Sequence, residues 1–253
     1  SVQKKNNEIL IKAIDVRIKK ARHVLLVPHR NPDADSLGAA LAFGAYLDSR
    51  KIAHSLYCAT PIAPTYSFLP GIQKLVNTPP DDVEVICTFD AGDARYVELE
   101  KICSLFSTRP FIINIDHHAS NEYFGDMNVV VVSAPSTTAV VYRIFQELQI
   151  NITAETATNL LSGLLTDTGT FGNPAASAEA LAVGSALLEC GARILPIRNA
   201  LERTKPIGAM KVWGRALSRL RLHPVLGIAT TIITQEECAQ SNISDDDISG
   251  LSN

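Results

Sequence analysis

Runs of apolar residues long enough for a buried strand alternate along the chain with segments of helical periodicity. The strand-length runs lie at residues 23–28, 52–58, 83–89, 111–115 and 128–133. The helical patterns lie at residues 6–21, 35–50, 94–106, 135–148, 153–166 and 177–190. Continuous apolar strands separated by helices are typical of a parallel sheet that is covered on both faces. The pattern therefore predicts a doubly wound α/β domain with a mainly parallel sheet.

The pattern changes after about residue 185. Residues 193–220 are predicted to be helical, and the apolar run at 225–234 predicts a strand in different surroundings. The tail, residues 244–253, is expected to begin a helix. We therefore expect three parts, which are an α/β domain at 1–185, a helical linker at 186–222, and the incomplete start of a second α/β domain at 223–253.

Composition and charge narrow the class of protein. Apolar residues make up 46% of the 253 residues and charged residues 19%, which is ordinary for a folded protein. No apolar run reaches the ~18 residues of a transmembrane helix, and the polar start shows no secretory signal. A net charge of −3 argues against broad binding of duplex nucleic acid, which favours basic surfaces. We therefore expect neither a membrane nor a duplex as partner.

Cysteine usage and short motifs exclude several other chemistries. The five cysteines are an odd number, form no C-x-x-C pair and include several in apolar stretches, so we expect reduced, buried thiols and a cytoplasmic protein. No G-x-G-x-x-G follows the first strand, and no phosphate-binding G-x-x-x-x-G-K-[ST] loop is present. A G-x-S-x-G nucleophile turn is also absent.

Acidic residues and histidines follow the predicted elements at the points where those elements end. The first strand leads into H-R-N-P-D-A-D, the third into D-A-G-D, the fourth into D-H-H, and the helix at 153–166 into T-D-T-G. The residues concerned are His29, Asp33, Asp35, Asp90, Asp116, His117, His118 and Asp167. Because the carboxyl ends of parallel strands meet at one edge of a sheet, we expect them to converge. Taken singly, each has an ordinary interpretation as a helix cap, a helix end or a surface residue.

Four carboxylates that converge repel one another unless cations compensate them. Two divalent cations would balance the four negative charges of Asp33, Asp35, Asp90 and Asp167. A site with two ions needs a bridging carboxylate, and Asp90, alone at the end of its strand, is the natural bridge. Mixed imidazole and carboxylate ligands favour Mn²⁺, Co²⁺ or Zn²⁺ over Mg²⁺, which prefers an all-oxygen site.

The four motifs, in this order and on these elements, resemble those of the DHH phosphoesterases, and most closely the nano-RNase and pAp phosphatase branch. The resemblance covers roughly residues 20–170 and continues through K-V-W-G-R-A-L at 211–217. It implies a hydrolase that uses two divalent ions, most often Mn²⁺, to cleave short oligonucleotides or 3′-phosphoadenosine 5′-phosphate (pAp). The expected partner is therefore a small nucleotide or a short oligonucleotide.

The resemblance also implies a role for each site residue. One ion would be held by His29, Asp33 and Asp90, and the other by Asp35, Asp90, His117 and Asp167. Asp116 would orient the histidines, and His118 would face the substrate phosphate. The P-S-T-T segment at 135–138 opens a helix whose N–H groups could meet phosphate, or whose hydroxyls could be ordinary caps.

The second domain of the family carries a G-G-G-H segment that reads the nucleotide, and this sequence has none. We therefore expect the metal site to be complete and substrate binding to be incomplete. Cyclic-dinucleotide hydrolysis and pyrophosphatase or exopolyphosphatase activity are the alternatives within the family. Residues 223–253 contain no lysine or arginine, whereas a family pyrophosphatase would carry a basic cluster there. A metal-stabilised regulatory or binding protein is the alternative that is not an enzyme.

Overall fold

The structure is a computed structural model that describes residues 2–201 and 207–243. The chain divides by its internal contacts into two units, Ser1–Leu201 and Glu202–Asn253. The boundary between them lies inside the segment that the sequence predicts to be a linker. None of the helices in the described ranges is both long and apolar enough to cross a bilayer.

A six-stranded sheet forms the centre of the first unit. Its strands are β1 (Val24–Pro28), β2 (His54–Tyr57), β3 (Leu75–Val76), β4 (Val85–Phe89), β5 (Phe111–Asp116) and β6 (Met127–Val130). All neighbours pair in parallel, in the order β3-β2-β1-β4-β5-β6. Every residue of β1 and of β4 is buried, which explains why these strands are continuous apolar runs. The predicted α/β fold with a mainly parallel sheet is confirmed.

Helices surround this sheet and close two separate cores. They are α1 (Val2–Ile18), α2 (Ala34–Ser49), α3 (Leu99–Cys103), α4 (Thr137–Glu147), α5 (Ala154–Asp167), α6 (Ala178–Glu189) and α7 (Ile194–Leu201). Alternate strand residues enter alternate cores, as the two-residue period of a strand requires. Leu26 and Cys87 belong to the larger core with α2, α4 and α5, whereas Leu25 and Ile86 belong to the smaller core with α3.

Helices α2 and α5 lie against each other and run in opposite directions. A Cβ atom at Gly38 of α2 would lie 3.1 Å from the Ser162 hydroxyl oxygen and closer still to the Asn159 carbonyl oxygen of α5. Gly163, one position after Ser162, meets Asp35, which precedes Gly38. The antiparallel contact therefore brings the first turn of α2 and the last turn of α5 to the same end of the sheet.

The helix predicted at 94–106 is broken into two short pieces. Residues Ala94–Val97 form a 3₁₀ turn, and α3 begins only at Leu99. Glu98 between them has a φ of +52°, in the left-handed region. The buried side chains Val97, Leu99 and Ile102 explain the break, because a spacing of two followed by three does not keep one face of a straight helix inward.

The second unit is small within the described residues. It contains α8 (Ile207–Ser218), β7 (Arg221–Leu222), β8 (Ala229–Thr230) and α9 (Gln235–Gln240), with β7 and β8 antiparallel. The helical prediction for 193–220 is realised as α7 and α8, while 202–206 and the predicted helix start at 244–253 lie outside the described residues. The assignment of 223–253 to an incomplete second α/β domain stays a prediction.

The strand predicted at 225–234 is wrong over most of its length, because only Ala229 and Thr230 pair. A turn interrupts the apolar run: the Gly227 N–H donates to the His223 carbonyl, and Gly227 has a φ of +65°. Val225 is 85% exposed and Ile232 is 73% exposed. An apolar run predicts a strand only where another layer covers it, and the described part of this unit provides no such layer.

The cysteines are all unpaired. Cys87 and Cys238 are buried, but Cys58, Cys103 and Cys190 are only half-buried, so the expectation of buried thiols is correct for two of the five. Burial raises the pKa of the Cys87 thiol, which keeps that sulfur protonated and inert.

Candidate metal centre

The predicted site residues meet at the carboxyl edge of the sheet. His29 follows β1, Asp90 follows β4, and Asp116 is the last residue of β5, with the two histidines directly after it. Asp33 and Asp35 stand at the start of α2, and Asp167 is the last residue of α5. Three groups of three such residues have ligand atoms within 4.8 Å of one another: His29, Asp33 and Asp90; Asp35, His117 and Asp167; and Asp90, His117 and His118.

The first group is built around His29. Its Nε2 lies 3.4 Å from Asp90 Oδ2 and 3.6 Å from Asp33 Oδ1. Its Nδ1 lies 2.8 Å from the Arg30 carbonyl oxygen, so the N–H at Nδ1 donates to the backbone and Nε2 is the ring atom that faces the carboxylates. A backbone carbonyl that fixes the tautomer in this way is typical of metal-binding histidines.

The second group repeats this arrangement around His117. Its Nε2 lies 3.2 Å from Asp167 Oδ2, and its Nδ1 lies 3.3 Å from the Ala134 carbonyl oxygen. Asp35, the third member, is fully buried. Both imidazoles therefore present Nε2 to carboxylates and Nδ1 to the backbone.

Asp90 joins the two groups through its two oxygens. Oδ2 faces His29 at 3.4 Å, and Oδ1 faces His117 at 3.7 Å. The Thr137 hydroxyl donates to Oδ1 at 2.9 Å and so fixes the rotation of the carboxylate. Asp90 has a φ of +60°, a conformation that aspartate tolerates better than most residues. The two oxygens of its carboxylate therefore face two different histidines.

Asp35 is held by the first turn of α4. The backbone N–H groups of Thr137 and Thr138 donate to its carboxylate at 2.6 and 2.9 Å, and the Thr138 hydroxyl donates at 2.7 Å. Ser136 is the N-cap of this helix and accepts from the Ala139 N–H. The structure thus favours the cap interpretation of P-S-T-T, since a carboxylate of the protein occupies the N–H groups that phosphate would need.

Asp33 combines two roles that the sequence presented as alternatives. Its Oδ1 accepts from the N–H groups of Asp35 and Ser36, which makes it the N-cap of α2. The same carboxylate belongs to the first ligand group.

Two further residues near the site shape the loops. Asp93 is the cap of the 3₁₀ turn at 94–97. Asn31 has a φ of +52° and shapes the loop before α2.

Asp116 bonds to the ring of His118 and not to the ring of His117. The carboxylate is fully buried, accepts from Asn121 at 2.6 Å, and lies 2.8 Å from His118 Nδ1. The expectation that it orients both histidines therefore needs correction, because the backbone carbonyl of Ala134 orients His117. The His118 side chain is 47% exposed, and its Nε2 is left for another partner.

The carboxylates shift the protonation of the imidazoles. Burial lowers the pKa of His29, but hydrogen bonds to Asp33 and Asp90 outweigh it and raise the pKa to about 11. Burial also lowers the pKa of His117, but the hydrogen bond to Asp167 and the charges of nearby carboxylates raise it to about 9. Both rings therefore carry a second proton at neutral pH, on the Nε2 atom that an ion would otherwise bind.

The pKa values of two buried acids shift in opposite directions. Burial raises the pKa of Asp35, and the negative charges of Asp167 and Asp90 raise it further. Burial also raises the pKa of Asp116, but hydrogen bonds from His118 and Asn121 outweigh it and lower the pKa overall. Asp116 is therefore a stable anion that raises the pKa of His118, whereas the direct hydrogen bonds to Asp35 come from the neutral donors of Thr137 and Thr138.

The donor set fits a divalent cation. Among the described residues, no lysine or arginine pairs with Asp33, Asp35, Asp90 or Asp167, so only imidazoles and neutral donors balance them. Two imidazole nitrogens with carboxylate oxygens suit Mn²⁺, Co²⁺ or Zn²⁺. The sequence did not predict that Thr137, Thr138 and Gly163 would contact these carboxylates. In the sequence, the two threonines belong to an N-cap motif and Gly163 is a glycine inside a helix.

Two relatives share much of this chain. A bifunctional oligoribonuclease and PAP phosphatase NrnA from Thermus thermophilus is 29% identical over 240 residues, which are 94% of this chain and 69% of the relative. A probable manganese-dependent inorganic pyrophosphatase from Streptococcus agalactiae is 27% identical over 180 residues, which are 66% of this chain and 55% of that protein. The similarity to the first relative extends into the second unit.

The fold is also shared with a solved structure and with a sequence family. An exopolyphosphatase-related protein from Bacteroides fragilis superposes with a TM-score of 0.85 at 22% identity, covering 96% of this chain and 74% of that one. The sequence profile of the DHH family, N-terminal domain, matches residues 23–164, which is more than half of the chain. These residues include every candidate ligand except Asp167. The chain belongs to the DHH family of phosphoesterases.

Proposed function

We propose that the chain hydrolyses phosphate esters of short oligoribonucleotides or of pAp, with two divalent ions and preferably Mn²⁺. One observation carries this proposal: the two oxygens of Asp90 face two separate groups of ligands, one around His29 and one around His117. A site with a single ion needs no such shared carboxylate, whereas a site with two ions does.

The ligands divide between the ions accordingly. His29, Asp33 and Asp90 would hold one ion, and Asp35, Asp90, His117 and Asp167 would hold the other. When bound, such ions supply Lewis-acid stabilisation of phosphate charge and activate water near neutral pH. Thr137 keeps Asp90 in its bridging orientation, and the first turn of α4 keeps Asp35 in place.

His118 has a different task from His117. His118 Nδ1 faces Asp90 at 3.6 Å, but it is already bonded to Asp116 at 2.8 Å. His118 therefore directs Nε2 at the substrate, where a protonated imidazole donates a hydrogen bond to a phosphate oxygen or a proton to the leaving group. Asp116 holds the ring and stabilises its positive charge.

The substrate class is drawn from the relatives. The similarity to the Thermus oligoribonuclease and PAP phosphatase spans nearly the whole chain, whereas the similarity to the Streptococcus pyrophosphatase spans two thirds of it. Pyrophosphate is the second candidate substrate, which that relative favours.

A panel assay with Mn²⁺ tests the proposal. The purified chain is offered pAp, a diribonucleotide, a cyclic dinucleotide and pyrophosphate, with EDTA as the metal-free control. We expect EDTA-sensitive release of product from pAp or the diribonucleotide at a higher kcat/KM than from the other two. Faster cleavage of pyrophosphate or of the cyclic dinucleotide would contradict the proposal and identify that compound as the preferred substrate. Metal binding without turnover of any of the four would favour the binding-protein alternative.

A further inference from the structure

A cavity of about 630 Å³ opens beside the metal centre. Its lining includes His29, Asp90 and His118 of that centre, together with Arg30 and Tyr96, to which the proposed mechanism gives no role. A substrate whose phosphate meets the ligand groups would extend into this space. The residues that line it beyond the centre would therefore contact the part of the substrate that is not cleaved.

Arg30 supplies the permanent positive charge of this cavity. The other charged side chains of its lining, apart from the two histidines, are Asp90, Asp93 and Glu122. Arg30 makes no ion pair with any described residue, although Asp93 lies near it. Asp93 is bound instead by Arg95, whose Nε donates to it at 2.7 Å. The guanidinium of Arg30 is thus left to a ligand.

Hydrogen bonds hold the backbone of Arg30, and its side chain lies over an aromatic ring. Its N–H donates to the Tyr96 carbonyl oxygen at 2.7 Å, and its own carbonyl oxygen receives His29 Nδ1 at 2.8 Å. Its guanidinium carbon lies 5.6 Å from the centre of the Tyr96 ring, a cation–π contact. Tyr96 is 53% exposed, so the ring is not a core residue and serves as a platform for the cation.

We propose that Arg30, supported by Tyr96, is a specificity-determining residue that binds a second phosphate of the substrate. This inference rests on the proposed phosphoesterase function. A guanidinium matches a phosphate through two parallel N–H donors, and this one adjoins the residue that would bind the first ion. The guanidinium lies over one face of the Tyr96 ring, beside the cavity that the substrate would enter. The preferred substrates are therefore nucleotides that carry a phosphate in addition to the one that is cleaved.

Binding measurements on the full chain test this inference separately from catalysis. Calorimetry with Ca²⁺ in place of Mn²⁺, to slow turnover, gives the affinities for pAp, adenosine 3′-phosphate and adenosine 5′-phosphate. We expect the wild type to bind pAp about tenfold more tightly than either monophosphate, because one additional charge-assisted hydrogen bond changes affinity by about that factor. Arg30→Gln should lose this preference, and Arg30→Lys should keep part of it because the charge stays while the planar fork is lost.

Arg22→Gln is the matched control. It removes the same charge, but Arg22 is bound to Glu84 at the other end of β1 from Arg30 and does not line the cavity. Its preference for pAp should equal that of the wild type. Equal affinity of the wild type for all three ligands, or a preference that survives in Arg30→Gln, would overturn the inference. Failure of the proposed function would show separately, as absent turnover with Mn²⁺, while the binding preference would still decide the role of Arg30.

Discussion

Gly163 in α5 lies directly against the carboxylate of Asp35 in α2. A Cβ atom at position 163 would stand 2.7 Å from Asp35 Cα and closer still to Asp35 Oδ1. Glycine inside a helix costs stability relative to alanine, yet here it leaves the space that Asp35 needs. Asp35 is therefore enclosed by Gly163 on one side and by the first turn of α4, with its N–H donors, on another.

We predict that Gly163→Ala weakens the metal site and the fold together. The added methyl group must displace Asp35 or the backbone of α5, and overpacking of this kind costs about 1–3 kcal/mol. Denaturant unfolding without metal and calorimetric titration with Mn²⁺ measure the two effects.

Gly214→Ala is the control for this substitution. Gly214 lies inside α8, and a Cβ atom there would have nothing within 4 Å. That substitution should leave stability unchanged or raise it by about 0.4–1 kcal/mol, because alanine reduces the freedom of the unfolded chain. Unchanged Mn²⁺ affinity in Gly163→Ala would show that Asp35 is not a ligand in the enclosed position.

Asp90→Ala should remove both ions and abolish activity, because the two ligand groups share this carboxylate. The wild type should gain about 2.7 kcal/mol of unfolding free energy when free Mn²⁺ is about 100 times its Kd, and the variant should lose most of that gain. Elemental analysis and melting curves with and without Mn²⁺ measure both effects.

Asp93→Ala serves as the comparison for Asp90→Ala. Asp93 follows the bridge by three residues and is tied to Arg95 at the surface, as a cap of the 3₁₀ turn. Its loss should leave the metal content near that of the wild type. An equal loss of metal in the two variants would count against Asp90 as the shared ligand.

The parts of this site that could be predicted from the sequence follow from topology. Continuous apolar runs identify parallel strands, and parallel strands deliver Asp90, Asp116 and the residues after them to one edge. Asp167 reaches the same edge because α5 runs antiparallel to α2 and ends where α2 begins.

The supports of the site could not be predicted in this way. Thr137 and Thr138 contact Asp35 across more than 100 positions of sequence, and Gly163 contacts it across a still longer separation. No local pattern encodes such a pairing, because it depends on how closely two helices approach. The strand predicted at 225–234 was wrong for the opposite reason. The local pattern was clear, but burial depends on a second layer that the described residues do not supply.

The two adjacent histidines should give different phenotypes. His118→Ala should keep the metal content and lose turnover by about 10²–10⁴-fold, the range for loss of a general acid. His117→Ala should lose one ion, since its Nε2 faces Asp167 and Asp90. Mn²⁺ titration of each variant, followed by kcat and KM on pAp, separates the two roles. If His118→Ala lost an ion while His117→Ala kept both, the assignments would be reversed.

Binding of Mn²⁺ should release protons near neutral pH. Carboxylates raise the pKa of His29 to about 11 and of His117 to about 9, so both rings are protonated there before an ion arrives. An ion that binds Nε2 must displace the proton on that atom, and affinity should therefore rise with pH until the rings deprotonate without help. Proton release should decrease as the pH approaches the pKa of His117 and persist for His29 above it.

Calorimetric titration of Mn²⁺ in two buffers that differ in ionisation enthalpy counts these protons. His118→Ala is the control, because His118 is held by Asp116 outside the two ligand groups and should leave the count unchanged. His29→Ala should lower the count together with the number of ions bound. An affinity that does not change between pH 6 and pH 8 would mean that neither His29 nor His117 is protonated before the ion binds, and that the carboxylates of the centre balance their charge in another way.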